Sequence, residues 1–175
     1  MAKKTVVKKP EELLQEAREL LKMWTVSENT PEENRLDIVI NGNELKECVR
    51  ALVAAKWGYL AAISTLDHPE YSIVESSNEK AVVPDRGSVE VLYHFCNGAA
   101  ITTLRVTLPY ENNKVESICD IIPSATLYER EAMELMGIEF VGTPNVDHLL
   151  LPDGWPANTY PLRKAFTGLE KKEEK

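Results

Sequence analysis

The chain has 175 residues, 43% of them hydrophobic, and a formal net charge of −8. That length suffices to bury one core, and no apolar run approaches the roughly 20 residues that a membrane-spanning helix needs. The acidic balance argues against a nucleic-acid partner, because phosphate recognition requires a concentrated basic face.

The first stretch, MAKKTVVKKPEELL, has lysines but no apolar segment behind them. It is expected to be no signal peptide, and the chain to remain in the cytosol or on a membrane complex. PEELLQEARELLKMW predicts an amphipathic helix: proline stands at the first helical position, and Leu13, Leu14, Ala17, Leu20, Leu21 and Trp24 recur at helical spacing. ENTPEEN breaks it, and RLDIVIN predicts a short strand. Asn43 is expected to cap a second helix, NELKECVRALVAAKW, with a stripe through Leu45, Cys48, Val49, Leu52 and Val53. GYLAAISTLDH predicts a mostly buried strand. PEYSIVESSNEKAVVPDRG is expected to be an irregular, exposed excursion.

SVEVLYHF and AITTLRVTL flank CNGA, and an Asn-Gly pair between strand-like runs predicts a hairpin. VESICDIIP then leads into LYEREAMELMGIEF. There Gly137 stands where a left-handed C-cap belongs, and Thr126 with Glu129 has the spacing of a capping box. The expected helix runs from about Leu127 to Met136. Around its wheel Arg130, Glu131 and Glu134 share one arc, while Glu129 faces Met133, Met136, Ala132 and Tyr128. A carboxylate among apolar groups needs a partner, since burying it unpaired costs several kcal/mol. Three roles stand open for it: the capping-box acceptor, a bond to a neighbouring chain or to the chain's own arm, and a general acid or base.

From Gly142 onward, GTPNVDHLLLPDGWPANTYPLRKAF is rich in proline and carries little periodicity, so an extended arm is expected over residues 142–175 after a core over 1–141. Its Leu, Trp, Tyr and Phe side chains require a surface to cover them. The overall class is α+β: a small mixed sheet with packed helices plus the arm.

Three cysteines without a CxxC pair suit reduced thiols. His94 and Cys96 lie on one strand face and, with Cys119, invite a metal, but a closed zinc site takes four ligands, and core packing explains the thiols equally. His68 and His148 read as turn and arm contacts. Trp155 reads as an aromatic anchor at an interface, and Arg163 and Lys164 as partners for carboxylates.

The run ICDIIPSATLYEREAMELMGIEFVG, followed by LLLPDGW and YPLRKAF, resembles the thirty-kilodalton subunit family of respiratory NADH dehydrogenase (complex I), whose likeness extends over about residues 45–166. The resemblance implies a subunit without a cofactor of its own. It would pack on the large hydrogenase-like subunit (the forty-nine-kilodalton type), beside the small iron–sulfur subunit, and meet the membrane subunits through the complex. Iron–sulfur clusters, with nickel–iron in some branches, would lie in those partners, and no nucleic acid is implied. The interface residues it implies are Glu129, Arg130, Glu131, Glu134, Leu151, Trp155, Pro161, Leu162 and Arg163. Thr143 stands where the family usually has histidine, and Asp147 where a basic residue or proline is common. With the Glu/Lys-rich composition, these departures point to an archaeal membrane-bound hydrogenase or a related sulfur-reducing complex, peripheral on the cytoplasmic side of the membrane. The alternatives are an NADH or F(420)H(2) quinone-type dehydrogenase, a free-standing small metal enzyme, and a transient adaptor.

Overall fold

The computed structural model describes residues 8–76 and 79–169, and for residues 71–86 the backbone alone. Helix α1 (Pro10–Leu21) opens on its proline and buries Leu13, Leu14, Ala17 and Leu21. The Glu12 side chain accepts a hydrogen bond from the Lys9 backbone N–H, tying down the first turn. Strand β1 (Ser27–Asn29) lies in the stretch expected only to break the helix, and pairs antiparallel with β2 (Arg35–Val39).

Helix α2 (Leu45–Ala54) follows a 3-10 turn over Gly42–Glu44, so Asn43 sits inside that turn and caps nothing. Its stripe buries Leu45, Cys48, Val49 and Leu52, whereas Val53 points outward. The Trp57 indole N–H donates to the Leu13 carbonyl at 2.8 Å, which fastens the end of α2 to α1.

Strands β3 (Tyr59–Ser76) and β4 (Glu79–Asn97) pair antiparallel up to Ser76 opposite Glu79, so the described part of the expected excursion is backbone-paired ribbon. Pro69 and Pro84 hid it from the sequence. A ring nitrogen cannot join a ladder, but proline is tolerated at bulges and edges, and the register shifts between His68 and Glu70. Strand β5 (Ala100–Pro109) closes the anticipated hairpin with Asn97 opposite Ala100. The two loop residues are therefore Gly98 and Ala99, and the positive φ falls on Gly98, where a tight hairpin of this kind requires glycine.

The five strands order as β1-β2-β5-β4-β3, with β2 and β5 parallel and the other neighbours antiparallel. Alternation puts Leu36 and Ile38, Val89, Val91, Tyr93 and Phe95, and Leu104, Val106 and Leu108 on the core face. Each such fully buried side chain contributes about 1.5–3 kcal/mol of transfer free energy.

A second, two-stranded parallel sheet joins β6 (Lys114–Glu116) to β7 (Glu139–Val141). Between them lies α3 (Ala125–Met136), which packs against β3. After Val141 the described chain contains neither helix nor strand.

Candidate functional site

Helix α3 starts two residues earlier than its sequence suggested, with Ser124 at the N-cap, so Thr126 and Glu129 do not form a capping box. Gly137 ends it at φ 70°, as a left-handed C-cap. The closing turn is secured from outside as well, since the Asn113 amide donates to the Gly137 carbonyl.

Glu129 is fully buried. Its carboxyl oxygens accept from the Ser117 hydroxyl at 2.7 Å, the Ile118 backbone N–H at 2.8 Å and the Cys119 thiol at 3.3 Å. The partner demanded by its apolar surroundings is thus its own chain, entering just after β6. A second polypeptide cannot touch this side chain in this fold, which removes Glu129 from the expected interface. Burial raises the Cys119 thiol above its ordinary value, with the Glu129 carboxyl adding to the effect.

Arg130 and Glu134 turn to the arm. The Arg130 guanidinium donates to the carbonyls of Asp147 at 2.9 Å and His148 at 2.8 Å. Glu134 accepts three successive backbone N–H groups, from Leu149, Leu150 and Leu151, at 3.0, 2.7 and 3.2 Å, and lies 3.2 Å from the His148 ring. Burial pushes the Glu134 carboxyl up, but those backbone donors and His148 outweigh it and hold it below the ordinary value.

Further along, the arm crosses the end of α3. The Leu162 N–H donates to the Leu135 carbonyl, and Arg163 donates to the Met136 carbonyl at 2.7 Å. The same guanidinium lies 4.3 Å over the Tyr110 ring and 3.4 Å from Asp67. Asp67 is nearly inaccessible, and also accepts from the Tyr110 hydroxyl and the Lys164 N–H. Burial, followed by the Asp67 hydrogen bond, raises the Tyr110 phenol above its ordinary value. Trp155 is half-buried within the arm itself, donating to the Thr159 carbonyl at 2.7 Å and tilting against Phe166 at 6.2 Å.

The structure therefore gathers Arg130, Glu134, Leu151, Leu162 and Arg163 along one helix-and-arm seam. Glu131 is exposed at a small cleft of about 200 Å³ that it shares with Tyr128, Leu135 and Leu162. Pro161 is half-buried beside it. Apolar side chains stand uncovered beside the seam: Leu162 is 57% and Leu150 61% exposed, and Val146, Leu169, Leu127 and Val141 also stand out.

Sequence reasoning missed Asp67, Tyr110 and Ser117. Strand alternation offered one signal, since Asp67 falls on the same face as Ile63 and Thr65, turned toward the core. It also missed a charge cluster on the opposite sheet face. There Arg105 grips Glu90 with two bonds of 2.7 Å and Asp37 with one of 2.8 Å, while His68 lies 3.3 Å from Glu90. The Arg105 guanidinium holds the Glu90 carboxyl below its ordinary range. His94 bridges the Ser64 and Thr103 hydroxyls at 2.8 and 3.0 Å, and burial lowers its pKa. Among the described residues, no group of three His, Cys, Asp or Glu is arranged to hold a metal ion, and no helix is long and apolar enough to cross a membrane.

Comparison with known proteins places this geometry in a family. A model of the respiratory-chain NADH dehydrogenase 30 Kd subunit matches residues 38–172. An NADH-quinone oxidoreductase subunit of Moorella thermoacetica is 31% identical over 63% of this chain and 64% of its own length, just under two thirds of that relative. An F(420)H(2) dehydrogenase subunit of Methanosarcina mazei is 27% identical over 77% of each chain, and the membrane-bound hydrogenase beta subunit of Pyrococcus furiosus is 39% identical over 37% of each. Among solved structures, a trypsin-resistant fragment of Nqo5 superposes with a TM-score of 0.57 at 25% identity, over 77% of this chain and 97% of that one. A chain of the archaeal membrane-bound sulfane sulfur reductase shares the fold with a TM-score of 0.63 at 19% identity, over 96% and 97%. The chain belongs to the family of the thirty-kilodalton subunit of respiratory-chain NADH dehydrogenase.

Proposed function

We propose that the chain is a cofactor-free accessory subunit of a membrane-bound, ion-translocating redox complex. It docks on the large hydrogenase-like subunit next to the small iron–sulfur subunit and reaches the membrane subunits only through them. It sits peripherally, on the cytoplasmic face. One observation carries the reading: an arm without helix or strand is pinned by its own backbone groups to α3, yet it turns Leu150 and Leu162 into solvent. Exposed apolar side chains on a braced ribbon serve contact, not catalysis. Its work is then mechanical, holding two redox subunits in fixed register.

An archaeal membrane-bound hydrogenase or a related sulfur-reducing complex is the branch favoured by Thr143 and Asp147 and by the Glu/Lys-rich composition. A specific observation supports a second branch, because the F(420)H(2) dehydrogenase relative matches over a longer stretch. Co-expression of the chain with the large subunit of its own gene cluster tests the docking. A stable one-to-one complex is expected, with no iron bound to this chain alone. Turnover or stoichiometric metal on the isolated chain overturns the reading. Two CxxC pairs in that large subunit mark the hydrogenase branch, and their loss marks the dehydrogenase branch.

A further inference from the structure

An open groove of about 800 Å³ runs beside α1, on residues distant in sequence from the arm. Its floor is apolar, formed by Leu20, Ala55 and the Trp57 edge. Its wall is acidic, with Glu11, Glu12, Glu16 and Glu19 lining it and no lysine or arginine among the lining residues. Glu12, Glu16 and Glu19 follow the three- and four-residue spacing that aligns side chains along one side of a helix. The carboxylates therefore form a rail parallel to the floor. The C-terminal end of α2 also meets the groove, as Ala55 caps that helix, its last carbonyls being taken up by the Ala55, Lys56 and Trp57 N–H groups. Lys8, just before α1 and outside the groove, already pairs with one of these carboxylates, Glu16.

We propose that this groove docks a basic amphipathic segment of another polypeptide, with leucine-like side chains on the floor and lysines or arginines on the glutamate rail. The inference goes beyond the arm-side docking and does not depend on it. Charge complementarity selects the occupant. An anionic lipid or phosphate would meet four carboxylates, and an acidic helix would be repelled, whereas a basic helix gains both contacts. The open groove, lined along α1 from Glu11 to Leu20, suits a helix more than an enclosed small molecule. Most of the groove belongs to α1, which precedes the residue where the family model begins to match, Ile38.

The test uses the purified full chain and two synthetic helical peptides of one design, with leucines on one face and either lysines or glutamates on its flanks. The lysine peptide is expected to bind at least about tenfold more tightly than the glutamate peptide. Glu11→Lys with Glu19→Lys should weaken it by a further factor of about ten at unchanged melting temperature. The control pair Glu111→Lys with Glu116→Lys, away from α1, should change binding by less than about twofold. Equal losses from both pairs would reduce the effect to overall charge and overturn the proposal. So would an absence of lysine-peptide binding. A large gain in affinity on deleting residues 1–7 would overturn it too, by showing that the chain's own lysine-rich start is the natural occupant.

Discussion

Glu134 sits where a bound anion is normally found, facing successive backbone N–H groups, but here the anion is the chain's own side chain. Because folding holds its carboxyl below the ordinary value of 4.5, the contribution is complete above that value and is lost as the pH falls toward the folded-state value. Exchange protection of the Leu149–Leu151 amides should therefore drop as the pH falls below 4.5, ahead of the core strands. Glu134→Ala should abolish that protection at neutral pH and destabilise the chain by about 2–3 kcal/mol in urea melts, since three donors lose a charged acceptor. Glu129 answers to the same logic in a drier place. Glu129→Ala strands the Ser117 hydroxyl and the Ile118 N–H and opens a cavity, so a loss of about 3–4 kcal/mol is expected from the isolated chain. The glutamate acts on folding first, and any effect on assembly follows from that.

At the scale of elements, α3 and the arm form one unit, and Gly137 is its pivot. A Cβ there would lie 2.5 Å from the Tyr160 ring, on a backbone already at positive φ. Gly137→Ala is expected to cost at least about 1–2 kcal/mol and to make the arm cleavable by protease at low enzyme ratios. Arg163→Ala should free the arm's far end, because it leaves Asp67 without its buried cation, at about 3 kcal/mol. Local features of this unit were legible in the sequence: the glycine cap, the apolar stripes of α1 and α2, the β4–β5 hairpin and the need of Glu129 for a partner. Those depend on residues within a turn or two of each other. What Glu129 binds was not legible, since Ser117 and Ile118 reach it only once β6 pairs parallel with β7. The β3–β4 ribbon beyond His68 escaped for a related reason, as its prolines and polar residues break the alternation that marks a strand. Sheet order rests on the parallel β2–β5 pair, a non-local choice that no short pattern records.

At the scale of the whole molecule, two faces separate. One is the braced arm, which turns Val146, Leu150 and Leu162 outward; the other is the acid-railed groove along α1. The arm carries the main claim, because its outward apolar side chains, Leu150 and Leu162, make no hydrogen bond and stand mostly in solvent. Leu162 makes its native bond through its backbone N–H, so the side chain can be changed without loosening the fold. Leu162→Asp is expected to shift the stability of the isolated chain by no more than about 0.5 kcal/mol. The central measurement is the yield of this variant in complex with the large subunit, scored beside its melting temperature alone. An account in which the arm is a docking strip requires that yield to fall by about tenfold or more while the melt stays in place. Unchanged recovery of the complex, at unchanged stability, would contradict it.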